Sequence, residues 1–285
     1  MNSLLSVTTP SIRVAPHCGP GVALRAALVQ LEARLERGAL TIAGPLGPNG
    51  ALCERFRQLG LREADPWTFR AATRVVVVPP RGLPKTVREQ WKAAGHELLD
   101  LTLPEVRRAQ SSLHLLAAEG CRPVVAGIPG DPEALTIAGD LRGVAIAGDA
   151  DEAARLAFSP KFGVVSQPGF SPRRARLIAE GLKQRHRDAR VTFLETTAPA
   201  ILERERSVEG LSRWADFVMV IGEESDASAR ALIETAQRLG LPSALVPDVR
   251  EAGGSGYRRI LLTAGEFTPA ECMTRWIAKT GSGGF

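Results

Sequence analysis

At 285 residues the chain is long enough to bury one large core, or two to three small ones, without covalent staples, so its 4 cysteines are not required as disulfides. Cys18, Cys53, Cys121 and Cys272 lie far apart with no CxxC pair, which excludes a zinc ribbon or redox dithiol on spacing and fits reduced thiols in a cytoplasmic protein. The net charge of +5 comes mostly from arginine, densest in residues 171–190, but one tyrosine and few other aromatics make solvated helix faces the expectation and nucleic acid not an expected partner. No segment approaches the roughly 20 apolar residues that span a bilayer, and the start lacks a basic region before a long apolar run, so no membrane association is expected.

Near the N-terminus, residues 14–28 (VAPHCGPGVALRAAL) place Cys18 in a glycine-rich turn that launches a helix. Short β-rich apolar runs follow at 40–44, 74–80, 122–128, 161–167, 215–222, 242–249 and 258–265. Residues 50–61, 86–95, 227–240 and 270–279 show apolar positions at helical spacing. Alternating strands and helices predict an α/β class with parallel sheets. The strands run out into loops rich in glycine, proline and short polar residues: GPLGPN, PPRGLP, AGIPGDPE, VSQPGFS, IGEESDAS and TAGEFTP. Ligands collect at such carboxyl ends of strands, so these loops are the expected site. Neither GxxxxGK[ST] nor GxGxxG is present.

Taken in order, these loops resemble the 4-hydroxy-3-methylbut-2-enyl diphosphate reductases, the IspH/LytB family. Residues 215–242 look like the family's third-lobe strand, substrate loop and helix. Residues 87–106 resemble a segment ending in Asp-x-Thr-Cys-Pro, GDPE matches a His-Pro-Glu loop, and TAGEFTP matches a Thr-Ala-Gly-x-Ser-x-Pro loop. The resemblance implies a three-lobed α/β assembly of small parallel sheets around a central cavity. Its expected lobes are residues 1–103 (with Cys18), 104–195 (with Asp131 and Glu133) and 196–285, the last segment free to return and complete the first lobe.

The family carries a [4Fe-4S] cluster on three cysteines. The first matches Cys18, although HCGPGV is one residue longer than the family's turn; the second falls at Leu103 and the third at Ala198. One thiolate does not hold a cubane cluster, so no cofactor and no metal are expected. The other three cysteines read as small core residues. The diphosphate-binding positions differ too. The family's three histidines fall at Pro48 (with Asn49 kept beside it), Arg81 and Asp131. Pro168 and Gly169 replace hydroxyls after Gln167, Asp226, Ala227 and Ser228 form the third-lobe loop behind Glu223 and Glu224, and a late serine falls at Phe267 beside Glu266. Glu133 matches the proton-relay glutamate. Two unit charges about 4 Å apart at an effective dielectric near 20 repel by roughly 4 kcal/mol, so the added carboxylates argue against a diphosphate, with Arg81 a partial offset.

The expected function is a cluster-free enzyme of small-molecule metabolism, using acid/base or thiol chemistry in the old cavity. Its catalytic groups would be Glu133, Cys18 and Asp131; its ligand groups would be Arg81, Asn49, Gln167, Glu224, Asp226 and Ser228. The partner is a small molecule in the cavity. The alternative is a non-catalytic binding protein with a protein partner, and the third reading is an ordinary iron–sulfur reductase. GDPE also reads as a plain helix start, with Asp131 at the cap, Pro132 at the first helical position and Glu133 in the first turn. Asp131, Glu133, Glu224 and Asp226 offer oxygen ligands for magnesium or calcium as a further reading.

Overall fold

The computed structural model describes residues 10–247, 256–269 and 271–274. The chain divides into two compact units, residues 21–201 and residues 1–20 with 202–285.

The chain opens with β1 (Ser11–Val14) and enters the larger unit at α1 (Val22–Leu35). There β2 (Leu40–Ala43), α2 (Gly50–Gln58), β3 (Leu61–Ala64), β4 (Val75–Val78), α3 (Lys85–Ala93) and β5 (Glu97–Asp100) build one four-stranded sheet, in the order β3-β2-β4-β5. After α4 (Pro104–Ala118) come β6 (Arg122–Ala126), α5 (Pro132–Ala138), β7 (Ala145–Ala147), α6 (Ala150–Ala154), β8 (Lys161–Ser166), α7 (Pro172–Arg185) and β9 (Arg190–Leu194), which form a second sheet in the order β7-β6-β8-β9. All strand pairs in both sheets are parallel. The central strands are continuous apolar runs, as expected where both faces are covered: β4 is four valines, three of them fully buried. On one face of the second sheet, Phe162, Val164 and Val124 pack with Ile178 and Leu182 of α7. On the other, Gly163 lets α4 approach so closely that an added Cβ would lie 2.6 Å from the Leu116 Cβ.

The chain then continues through α8 (Pro199–Leu211), β10 (Phe217–Ile221), α9 (Ala227–Arg238), β11 (Ser243–Val246) and β12 (Arg259–Ala264). These strands and β1 form the smaller unit's parallel sheet, ordered β1-β12-β10-β11. The N-terminal strand therefore belongs to the third sheet, and Cys18 travels with it, away from the first lobe expected over residues 1–103. The cause is apolar matching: Ile12 is buried in one cluster with Ile260, Leu262 and Met219, and Ser11 through Val14 pair in register with Arg259 through Leu262. The helix expected over 270–279 falls within the described residues only at 271–274, which are helical.

Candidate functional site

In the larger unit, three loops at strand ends are tied by one buried polar network. Asp131 caps α5, its Oδ1 accepting from the Glu133 N–H at 2.8 Å, and Pro132 supplies the pre-set φ of the first helical position. The same oxygen accepts from Gln167 Nε2 at 3.0 Å, while Oδ2 pairs with Arg81 Nη2. Gln167 also accepts through Oε1 from the Ile128 N–H at 3.0 Å. Glu133 Oε2 accepts from the Gly169 N–H at 3.3 Å. Arg81, Asp131, Glu133 and Gln167 are all buried. The PPRGLP turn that presents Arg81 requires glycine at residue 82, where φ is +77° and a Cβ would stand 2.9 Å from Thr102 Cγ2.

Asn49 follows β2 and caps α2, accepting from the Leu52 N–H at 2.9 Å, and its buried Nδ2 has no hydrogen-bond partner among the described residues. Leu103 and Ala198, the positions that the family resemblance gives to cysteine, border the Arg81 and Gly169 loops. Leu103 N–H donates to Pro80 O and Ala198 N–H to Pro168 O, both at 2.9 Å. Both side chains are buried hydrocarbon, and neither has a lone pair for iron. Leu103 occupies the cap position of α4 and makes no side-chain cap bond.

In the smaller unit, Asp226 repeats the same device. It caps α9, its Oδ1 accepting from the Ser228 N–H at 2.8 Å and the Ser228 hydroxyl at 2.6 Å. Its Oδ2 accepts from the Phe267 N–H at 3.5 Å, and Ser228 Oγ accepts from the Glu266 N–H at 2.7 Å. The close fit depends on Gly265, where a Cβ would lie 2.5 Å from Asp226 Oδ2. Glu224 is exposed and stands apart from this network.

Cys18 is half-buried beside apolar clusters, and burial pushes its thiol up, with the Arg204 guanidinium pulling the other way. A thiol so raised is a weaker nucleophile at neutral pH, which weighs against Cys18 as a catalytic group. His17 turns to Glu203, with Nδ1 at 3.7 Å from Oε2. Arg204 is a buried charged residue that the sequence does not single out. It donates through Nε and Nη2 to Gly19 O at 3.1 and 2.7 Å, and lies 3.6 Å from Glu266 Oε1. Nothing in the run ERERS distinguishes it from Arg206, which is exposed. Cys53 donates weakly to Gly47 O at 3.4 Å and its thiol is also pushed up by burial, while Cys121 and Cys272 are buried. Among the described residues, no three His, Cys, Asp or Glu side chains are placed to hold a metal ion, and the four carboxylates considered for magnesium or calcium divide two and two between the units.

A family model described as LytB protein matches residues 12–280. A 4-hydroxy-3-methylbut-2-enyl diphosphate reductase of Oleidesulfovibrio alaskensis is 30% identical over 262 residues, which cover 88% of this chain and 90% of that protein. One from Solidesulfovibrio magneticus is 27% identical over 243 residues, covering 83% and 85%. Among solved structures, the reductase of Plasmodium falciparum superposes with a TM-score of 0.87 at 17% identity, covering 95% of this chain and 88% of that one, a likeness of fold. A match that begins in β1 and runs past β12, on a fold shared with those enzymes, makes this chain a member of the LytB family.

Proposed function

We propose that this LytB-family chain works without an iron–sulfur cluster, as an enzyme on a small molecule with Glu133 as its acid/base group. The observation that carries the proposal is the pair of buried hydrocarbon side chains, Leu103 and Ala198, at the two positions where the resemblance calls for thiolates. Cys18 alone does not replace the set, and the remaining cysteines belong to other local environments. The residues present do not fit the cluster.

What remains suits proton transfer. Glu133 stands in the first turn of α5 with Oε2 oriented by the Gly169 N–H, and Asp131 fixes that turn while being neutralised by Arg81. Asp131 and Arg81 thus position Glu133, and Asn49 Nδ2 is a buried donor left for a ligand oxygen. A second reading, a non-catalytic binding protein, is favoured by how fully Arg81, Asp131 and Gln167 satisfy one another.

The test is iron and acid-labile sulfide content with a visible spectrum after anaerobic purification and reconstitution. No cluster is expected, together with turnover in a metabolite screen that is lost in Glu133→Gln. About four irons per chain, with reduction of 4-hydroxy-3-methylbut-2-enyl diphosphate, would overturn the proposal and place the chain with its named relatives.

A further inference from the structure

Far along the second sheet's unit from the strand-end loops, the ends of α6 and α7 border a surface cleft of about 670 Å³, lined by residues 154–158 and 185–188. Three guanidinium groups, Arg155, Arg185 and Arg187, stand there against one carboxylate, Asp188. Arg185 and Arg187 come from the end of the arginine-rich run noted in the sequence, and they play no part in the Glu133 network. Arg176, higher on α7, is tied to Glu195, whereas Arg155, Arg185 and Arg187 have no ion-pair partner among the described residues.

Two further features mark a built site. Phe158 is 61% exposed, with its ring 5.9 Å from that of His186. His186 is only 7% exposed, is backed by Phe162 at 5.1 Å, and its buried Nε2 has no hydrogen-bond partner among the described residues. Helix dipoles account for Arg155 and Arg185, since each lies at a helix C-terminus where cations are favoured. They do not account for Arg187 beyond the cap, an exposed aromatic ring, or an unsatisfied buried ring nitrogen.

We propose that this cleft binds a nucleoside monophosphate, its base stacked on the exposed ring of Phe158 and its phosphate held by Arg155, Arg185 and Arg187. The volume falls in the range of about 300–1,000 Å³ typical of small-molecule sites, which favours a single nucleotide over a polymer. The helix ends point carbonyls at the cleft, so a bare phosphate is a poor match. A nucleotide matches because it brings hydrogen-bond donors on its base as well as negative charge, and arginine forks bind phosphate oxygens bidentately.

The test is isothermal titration of the full chain with each of the four common nucleoside monophosphates, at an ionic strength of about 0.15 M, against adenosine and inorganic phosphate as controls. At least one nucleotide is expected to bind with micromolar affinity and about tenfold tighter than inorganic phosphate. The Arg185→Ala/Arg187→Ala variant is expected to weaken that binding about tenfold or more, and Phe158→Ala to weaken it while sparing inorganic phosphate. These side chains are exposed, and circular dichroism of each variant checks that it is folded. Absence of heat with all four nucleotides, equal affinity for inorganic phosphate, affinity unchanged in both variants, or arginine-dependent retention only on single-stranded DNA or anionic vesicles would each overturn the proposal.

Discussion

Replacing Asp131 by serine isolates the charge at the centre of the larger unit's network. Serine keeps an oxygen to cap α5, so the helix start survives and the loss falls on Arg81, which is 6% exposed and would be left with its charge uncompensated. Breaking a buried pair from one side costs about 3–5 kcal/mol, a large part of the roughly 5–15 kcal/mol that holds a domain folded. Arg81→Met leaves Asp131 with the Glu133 N–H and Gln167 Nε2 still donating to it, and should cost about 3 kcal/mol, at the lower edge of that range. The double variant Arg81→Met/Asp131→Ser removes both charges together and should return to within about 1 kcal/mol of the parent, because replacing a whole buried pair is often neutral. Urea unfolding of the four proteins, followed by far-ultraviolet circular dichroism, closes the cycle and should give a coupling above about 3 kcal/mol. If the serine variant loses less than about 1 kcal/mol, or the double variant is as unstable as the sum of the singles, the network is not what holds these loops.

Glu205, on α8, has its carboxyl raised from an ordinary 4.5 to about 7 by burial, with Thr235 hydrogen bonding against the shift, Glu209 adding to it, Arg238 opposing it and Glu234 adding to it. The folded state then holds a proton that the unfolded state has released, so stability falls as pH rises from about 4.5 to about 7. Glu205→Gln should therefore raise the urea midpoint at pH 8 by about 1–3 kcal/mol of stability and leave it nearly unchanged at pH 4; an equal gain at both values refutes the assignment. Cys18, its thiol raised by burial, should react with iodoacetamide near neutral pH more slowly than a free cysteine and accelerate toward pH 10. Peptide mapping that finds Cys18 alkylated first at neutral pH would restore it as a nucleophile.

Which strands the sequence reveals depends on where they lie in their sheets. The six central strands, β2, β4, β6, β8, β10 and β12, are apolar runs legible by eye, because each is covered on both faces. β1, β3, β5, β7 and β9 escape the reading, and all five are edge strands. LREA, ELLD and RVTFL alternate or mix exposed and half-buried positions, since an edge has one neighbour and partial cover. Only the edge strand β11 stands out as a run. In the same way, Asp131 and Glu133 are legible as a helix start because capping is local, whereas the pairing of Asp131 with Arg81, 50 positions away, leaves no trace in spacing.

The buried geometry also changes how much charge a ligand would meet. Asp131 meets Arg81 directly and Asp226 is wrapped by three backbone N–H groups and a hydroxyl, so neither carboxylate stands bare toward a ligand. The repulsion of roughly 4 kcal/mol expected between a bare carboxylate and a diphosphate is thus already offset at Asp131 by Arg81, and Glu224 is exposed to solvent, where screening is strong. The changed ligand proposed above would follow from lost donors more than from added charge. Proline at 48, proline and glycine at 168 and 169, and phenylalanine at 267 present no side-chain hydrogen bond where the family resemblance calls for one. Gln167, which does keep its amide, spends Nε2 on Asp131 and Oε1 on Ile128. If the proposed acid/base role holds, Glu133→Gln should abolish turnover with ligand binding retained, and Asn49→Ala should weaken binding; loss of binding in Glu133→Gln would refute that division of roles.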